Sequence, residues 1–126
     1  MSSPSKAKGS RFEIMIYNDM KTYLRDVKRV GGSGTQKGEN GDIIATLPEE
    51  VIPYCIECKH YKTLTFAVID KWWEKIKRQA AEIDMTPLLI YRQNRQKIMV
   101  RTIVKFKDSL LVGDIKYNVW KKIIMR

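Results

Sequence analysis

The sequence predicts an α/β domain with a central mixed β-sheet flanked by helices. Two segments carry apolar residues at helical spacing, and the stretches between and after them are β-rich and bounded by turn residues. The chain has 126 residues, of which 44% are hydrophobic, enough for one compact core and too few for two. Residues 1–8 hold Ser, Pro and Lys without an apolar anchor and read as a flexible basic arm, leaving 9–126 as a single domain.

The first helix is expected from Ser10 to Val27, where Phe12, Ile16, Met20, Tyr23 and Val27 recur at three- and four-residue steps. Val27–Val30 can add a short strand. The Gly-rich stretch from Gly31 to Gly41 is a flexible loop. Asp42–Ala45 and Ile52–Lys59 then read as two strands joined by a turn at Pro48, Glu49 and Glu50, a hairpin at the sheet centre. From Phe66 to Asp84 helical spacing returns, with Ile69, Trp72, Trp73, Ile76, Ala80 and Ile83 on one stripe and Lys71, Lys75 and Arg78 away from it. Thr86–Tyr91 and Lys97–Val104 form a second hairpin about the polar turn Gln93–Gln96. Between Asp108 and Arg126 no single period emerges, and strand and helix both remain open.

Charge narrows the function. Twenty-four Lys and Arg against 14 Asp and Glu leave a net +10, which points to a polyanion, nucleic acid before an anionic membrane surface. Lys6, Lys8, Arg11, Lys37, Arg92 and Arg95 are the expected phosphate contacts. The longest apolar runs last only a few residues, too short to span a bilayer, and the polar basic start argues against secretion, so a cytoplasmic setting is expected. Cys55 and Cys58 are the only cysteines, which excludes a disulfide-stapled scaffold. Their spacing in a strand would send the two thiols to opposite faces, and His60 is the only histidine, so zinc and dithiol chemistry are disfavoured. The segment Gly32–Gly38 lacks the order of a nucleotide-binding phosphate loop.

On a strand Glu57 and Lys59 share one face, which by itself fits an exposed salt bridge as well as a site. Asp42, at the start of the preceding strand, can be brought beside Glu57 by hairpin pairing. Two carboxylates that close repel each other, and a hard divalent cation with oxygen ligands relieves them; Mg²⁺ is the implied ion, with Mn²⁺ as its substitute. Glu13 lies at the margin of the first helix's apolar stripe, where it can face inward or favour the helix dipole. Gln79 lies at the edge of the second helix's buried stripe, as a site residue or as a polar group with a backbone partner. Trp72 and Trp73 are assigned to packing.

Taken in order, Gly9-Ser-Arg-Phe-Glu13 on a first helix, a Gly-Ser-Gly loop, Gly41-Asp42, Glu57-Cys-Lys59 and a helix bearing Gln79 resemble the PD-(D/E)xK nuclease superfamily. Within it they resemble the archaeal-type Holliday junction resolvases that some phages also carry. The resemblance covers about residues 8–104, with Gly41 standing where the family usually has Pro. It implies a PD-(D/E)xK core and a metal-dependent structure-specific endonuclease that resolves four-way DNA junctions as a homodimer. Glu13, Asp42, Glu57 and Cys58 would then form the metal set, and Lys59 would orient or activate the attacking water. Ser33, or Thr35, would lie near the scissile phosphate, and Gln79 would complete the catalytic group. Two copies would supply the two symmetric cuts, joined through the Trp-bearing helix or the segment from Ile115. The other readings are a nuclease of the same superfamily acting on linear or flapped DNA, and a non-catalytic basic DNA-binding module.

Overall fold

A computed structural model describes residues 4–30 and 42–125, with backbone alone for 4–8, 105 and 106. Helix α1 spans Pro4–Met20, strand β1 Arg25–Arg29, β2 Ile43–Thr46, β3 Tyr54–Tyr61, helix α2 Phe66–Glu82, β4 Thr86–Gln93, β5 Met99–Phe106, β6 Ser109–Lys116 and helix α3 Tyr117–Ile124. The six strands pair in sequence order. All pairs are antiparallel except β3 with β4, which are joined by the α2 crossover, so the sheet is mixed as expected.

Strand alternation divides the core into two layers. Ile56, Cys58, Leu88, Ile90 and Val100 face Phe12, Ile16 and Met20 of α1 and Tyr117 and Trp120 of α3. On the opposite face Cys55, Leu89 and Tyr91 meet Ile69, Trp73, Ile76 and Ala80 of α2. Cys55 and Cys58 therefore lie in different layers, and neither is in a disulfide. Thr65 caps α2 through its side chain, which accepts from Val68 N at 3.2 Å. At the other end Asp84 takes a left-handed φ of 55° and turns the chain into β4, two residues past the helix's last regular turn.

Several boundaries differ from the sequence expectation. Helix α1 starts at Pro4, inside the stretch expected to be an arm; proline suits the first helical position, and Ser, Lys and Ala there permit the helix. The same helix stops at Met20 rather than Val27. Backbone bonds from Thr22 to Asp19 and from Tyr23 and Leu24 to Met20 close the turn. Tyr23 and Val27 still pack on the α1 layer, so the apolar period outlasts the helix that it seemed to describe. Strand β3 begins at Tyr54 because Pro53 has no N–H to give a ladder, and it continues to Tyr61.

The unassigned C-terminal region is a strand followed by a helix. β6 lies at the sheet edge, with Leu110, Leu111 and Val112 exposed, so no buried face stamped an alternation on its sequence. α3 is tied to the end of α1. Tyr117 donates to Asp19 Oδ2 at 2.6 Å, its hydroxyl meets that of Tyr23 at 2.6 Å, and Lys121 Nζ lies 2.9 Å from Asp19 Oδ1. On the α2 side the Arg101 guanidinium is held bidentately by Asp114, at 2.7 and 2.9 Å, and by Asp70 of α2 at 2.6 Å.

Trp120, 4% exposed, anchors α3 under the sheet. Trp120→Ala should cost about 3–5 kcal/mol of stability, read as a lower urea midpoint with cooperative unfolding retained. An unchanged midpoint would mean that α3 contributes nothing to the core.

Candidate active site

Strand β2 is only four residues long, and its pairing with β3 ends at Ile43 opposite Ile56. Continuing that register by one residue would set Asp42 opposite Glu57. There β2 leaves the sheet: Asp42 N donates to Ile56 O at 2.7 Å, and the Asp42 carboxylate turns back to accept from Cys58 N at 2.8 Å. A side chain thus takes a backbone donor that a longer β2 would have paired. The outcome is a fork in the sheet with an acidic residue on each prong.

Both acids are buried, Asp42 at 6% exposure and Glu57 at 4%. Glu57 Oε1 lies 3.3 Å from Lys59 Nζ, and Glu57 Oε2 is buried with no hydrogen-bond partner among the described residues. A buried carboxylate oxygen without a donor is costly, and it marks a place where a cation or a solvent donor belongs. Glu13, also buried, approaches from α1; Arg29 of β1 grips its Oε2 with Nη2 at 2.6 Å and Nε at 2.8 Å.

The Cys58 thiol reports how these charges converge. Burial first, then the negative charges of Asp42, Glu13 and Glu57 in that order, hold it well above the usual thiol range, while Lys59 acts in the opposite direction. Cys55, on the other face, is pushed up to about 12 by burial and by Glu57 and Asp42. The sequence-expected Glu13, Asp42, Glu57 and Lys59 are therefore one electrostatic neighbourhood assembled from α1, the β2 entrance and β3.

Oxygen donors of this kind suit a hard divalent cation, which often needs only one or two protein carboxylates besides water and phosphate. Among the described residues no three His, Cys, Asp or Glu side chains form a ready-made cage. The fit rests instead on Asp42 and on the Glu57 oxygen that has no hydrogen-bond partner among the described residues, with Glu13 in the grip of Arg29.

Other expected residues are placed more loosely. Gln79 is half-buried on α2, about two turns beyond Trp72. Arg11 and Arg92 line one cleft of about 220 Å³ with Phe12, Met15 and His60. Arg95 is exposed at the β4–β5 turn, with φ 65°. Ser33, Thr35 and Lys37 fall outside the described residues, as do the side chains of Lys6 and Lys8.

Two residues escaped the sequence. Arg29 is the counter-ion of Glu13, a pairing between a strand and a helix that no local spacing reveals. Trp72, assigned to packing, is half-buried against the α2-side core and also sets its ring centroid 5.5 Å from Lys59 Nζ and 5.1 Å from the Tyr61 ring. Trp73 is the packing residue, 4% exposed.

Comparison with known proteins identifies the family and the fold. A family model described as "Phage putative PDDEXK endonuclease" matches residues 4–124. The chain belongs to this phage PD-(D/E)xK endonuclease family. Among solved structures it is similar to Archaeoglobus fulgidus Hjc, a Holliday junction resolvase from an archaeal hyperthermophile. That likeness has a TM-score of 0.52 at 18% identity and covers 90% of this chain and 93% of the other, which establishes the shared fold. No curated protein matches by sequence. The expected PD-(D/E)xK core is thereby confirmed, and no described helix is long and apolar enough to cross a membrane.

The buried thiols give a check on the site's electrostatics. Both cysteines should resist alkylation in the native protein at pH 7–8 and react fully once it is unfolded, as followed by mass spectrometry. Because Cys55 ionises near 9 when unfolded and at about 12 when folded, its contribution to stability should be intact below pH 9 and fade as pH rises toward 12. Rapid native alkylation at pH 7 would contradict the burial and the acidic surroundings.

Proposed function

We propose that this endonuclease is a Mg²⁺-dependent enzyme that resolves four-way DNA junctions by paired phosphodiester hydrolysis as a homodimer. The observation that carries the proposal is the buried Asp42–Glu57 fork, with one Glu57 oxygen lacking a hydrogen-bond partner among the described residues. Asp42, Glu57 and Glu13 would hold Mg²⁺, or Mn²⁺ in its place. Cys58 joins that set through its main chain, because its thiol is buried in the α1 layer and held protonated. When bound, the cation supplies Lewis-acid polarisation of a phosphate oxygen and a water of lowered pKa.

The chain's own residues do the rest. Lys59 stands beside Glu57 and orients the attacking oxygen with positive charge that follows the developing phosphorane. Gln79 and Ser33 complete the catalytic group. Arg11 and Arg92, which line one cleft, bind substrate phosphates together with Lys6, Lys8, Lys37 and Arg95.

Junction resolution is supported by the fold shared with the archaeal resolvase and by stoichiometry, since one chain offers one fork while symmetric incision needs two. An isologous contact through β6 and α3 is favoured by the exposed Leu110, Leu111 and Val112 on an edge strand and by exposed Val119 and Ile123. This is the C-terminal side of the two surfaces expected from sequence. The phage family fits action in the cytoplasm of an infected host.

Asp42→Asn, which can still accept from Cys58 N, and Glu57→Gln should each lower Mg²⁺-dependent cleavage about 10²- to 10³-fold while DNA binding persists. On an immobile four-way junction the native protein should make paired symmetric cuts faster than on linear or flapped duplex, lose them in EDTA, and sediment as a dimer. Near-normal cleavage by either variant would overturn the site. Equal rates on linear and flapped duplex would overturn the junction assignment.

A further inference from the structure

Beyond the fork, β3 carries a third side chain on the same face. Glu57, Lys59 and Tyr61 alternate along the strand toward α2, and Trp72 of α2 meets the last two. Its ring centroid is 5.5 Å from Lys59 Nζ and 5.1 Å from the Tyr61 ring, which is tilted by 41°. Tyr91 and Trp73 of this layer are buried, at 7% and 4%, yet Tyr61 is 45% exposed. An aromatic face that is open to water and braced by a second ring is pre-organised: holding a flat ligand against it costs little side-chain entropy.

The surrounding charge says what kind of ligand. Lys62 and Lys71, the chain neighbours of Tyr61 and Trp72, are both exposed. The nearby α2 acids are already engaged, Asp70 by Arg101 at 2.6 Å and Glu74 by Lys77 at 3.0 Å. A ring-sized apolar face set among lysines is complementary to a base on a phosphate backbone. An apolar protein side chain or a lipid tail would leave the lysines without a role. Within a duplex both faces of every base are covered by its neighbours, so only an unstacked base can present itself here.

We infer that Tyr61, braced by Trp72, is a stacking shelf for an unpaired nucleobase beside the scissile phosphate. The inference rests on the nuclease reading for its placement and adds the substrate feature that the site reads: a nucleotide out of the helical stack. Lys59 and Tyr61 are two residues apart on a strand, roughly 6–7 Å, so the base on the shelf belongs to a nucleotide adjoining the one under attack. The shelf thereby favours branch points, gaps and flaps over continuous duplex without reading sequence.

The test is binding by fluorescence anisotropy in EDTA, using the native chain and the variants Tyr61→Phe, Tyr61→Leu and Tyr61→Ala. The probes are a duplex with a central stretch of unpaired thymidines and the fully paired duplex of equal length. The ratio of the two affinities should fall about 5- to 100-fold in the Leu and Ala variants, the scale of one lost stacking contact, and should be retained in Tyr61→Phe. Tyr61→Leu keeps apolar bulk without a π face, so it separates stacking from packing, and circular dichroism verifies each fold. A ratio unchanged in both Leu and Ala, or lost equally in Phe, overturns the shelf. The nuclease reading is judged separately by Mg²⁺-dependent cleavage of the native chain. Absence of cleavage would reject that reading and leave the binding result to stand or fall alone.

Discussion

The short second strand is the constraint on which the site depends. Because β2 pairs with β3 for only three residues and then departs, the Cys58 N–H would be left without a ladder acceptor inside the protein. Leaving a buried amide unsatisfied costs about 1–3 kcal/mol, and the Asp42 carboxylate meets that demand at 2.8 Å. The same bond fixes Asp42 at the mouth of the fork, facing the strand that carries Glu57 and Lys59. Fold and site are thus linked through one hydrogen bond. A longer β2 would satisfy the backbone and close the opening through which Glu13 approaches from the α1 side.

Around this fork the charges are balanced in pairs. Glu13 of α1 is countered by Arg29 of β1, Glu57 by Lys59 on the same strand, and Lys59 is itself faced by the Trp72 ring of α2. Each of the three layers contributes a group, so neither helix can shift without altering the site's electrostatics. Away from the fork, Arg101 with Asp70 and Asp114 ties α2 to the sheet and its edge, and Asp19 with Tyr117 and Lys121 ties α3 to α1. These networks hold the frame rigid while the fork keeps an oxygen in reserve.

What the sequence revealed follows from how local each signal is. Glu57 and Lys59 on one face, and Asp42 one register step from Glu57, depend only on strand period and hairpin pairing, so they were legible. The Arg29–Glu13 pair was not, because it joins residues on different elements whose packing angle leaves no trace in spacing. Apolar period misled at Tyr23 and Val27, which stay on the core while the backbone changes from helix to strand. β6 was illegible for the opposite reason: exposed on an edge, it has no buried face to impose alternation. The two tryptophans looked alike in sequence, and only the crossing of α2 over β3 separates the buried Trp73 from the half-buried Trp72.

The central claim is that the fork binds a divalent cation through Asp42 and Glu57. It is tested most directly by titrating Mn²⁺ into the native protein, followed by electron paramagnetic resonance without DNA, alongside Glu57→Gln and Asp42→Asn chains shown to be folded. The account predicts saturable binding by the native chain, displaced by excess Mg²⁺, and its loss in both variants. Native protein that binds no Mn²⁺, or variants that bind it as the native chain does, would contradict the account.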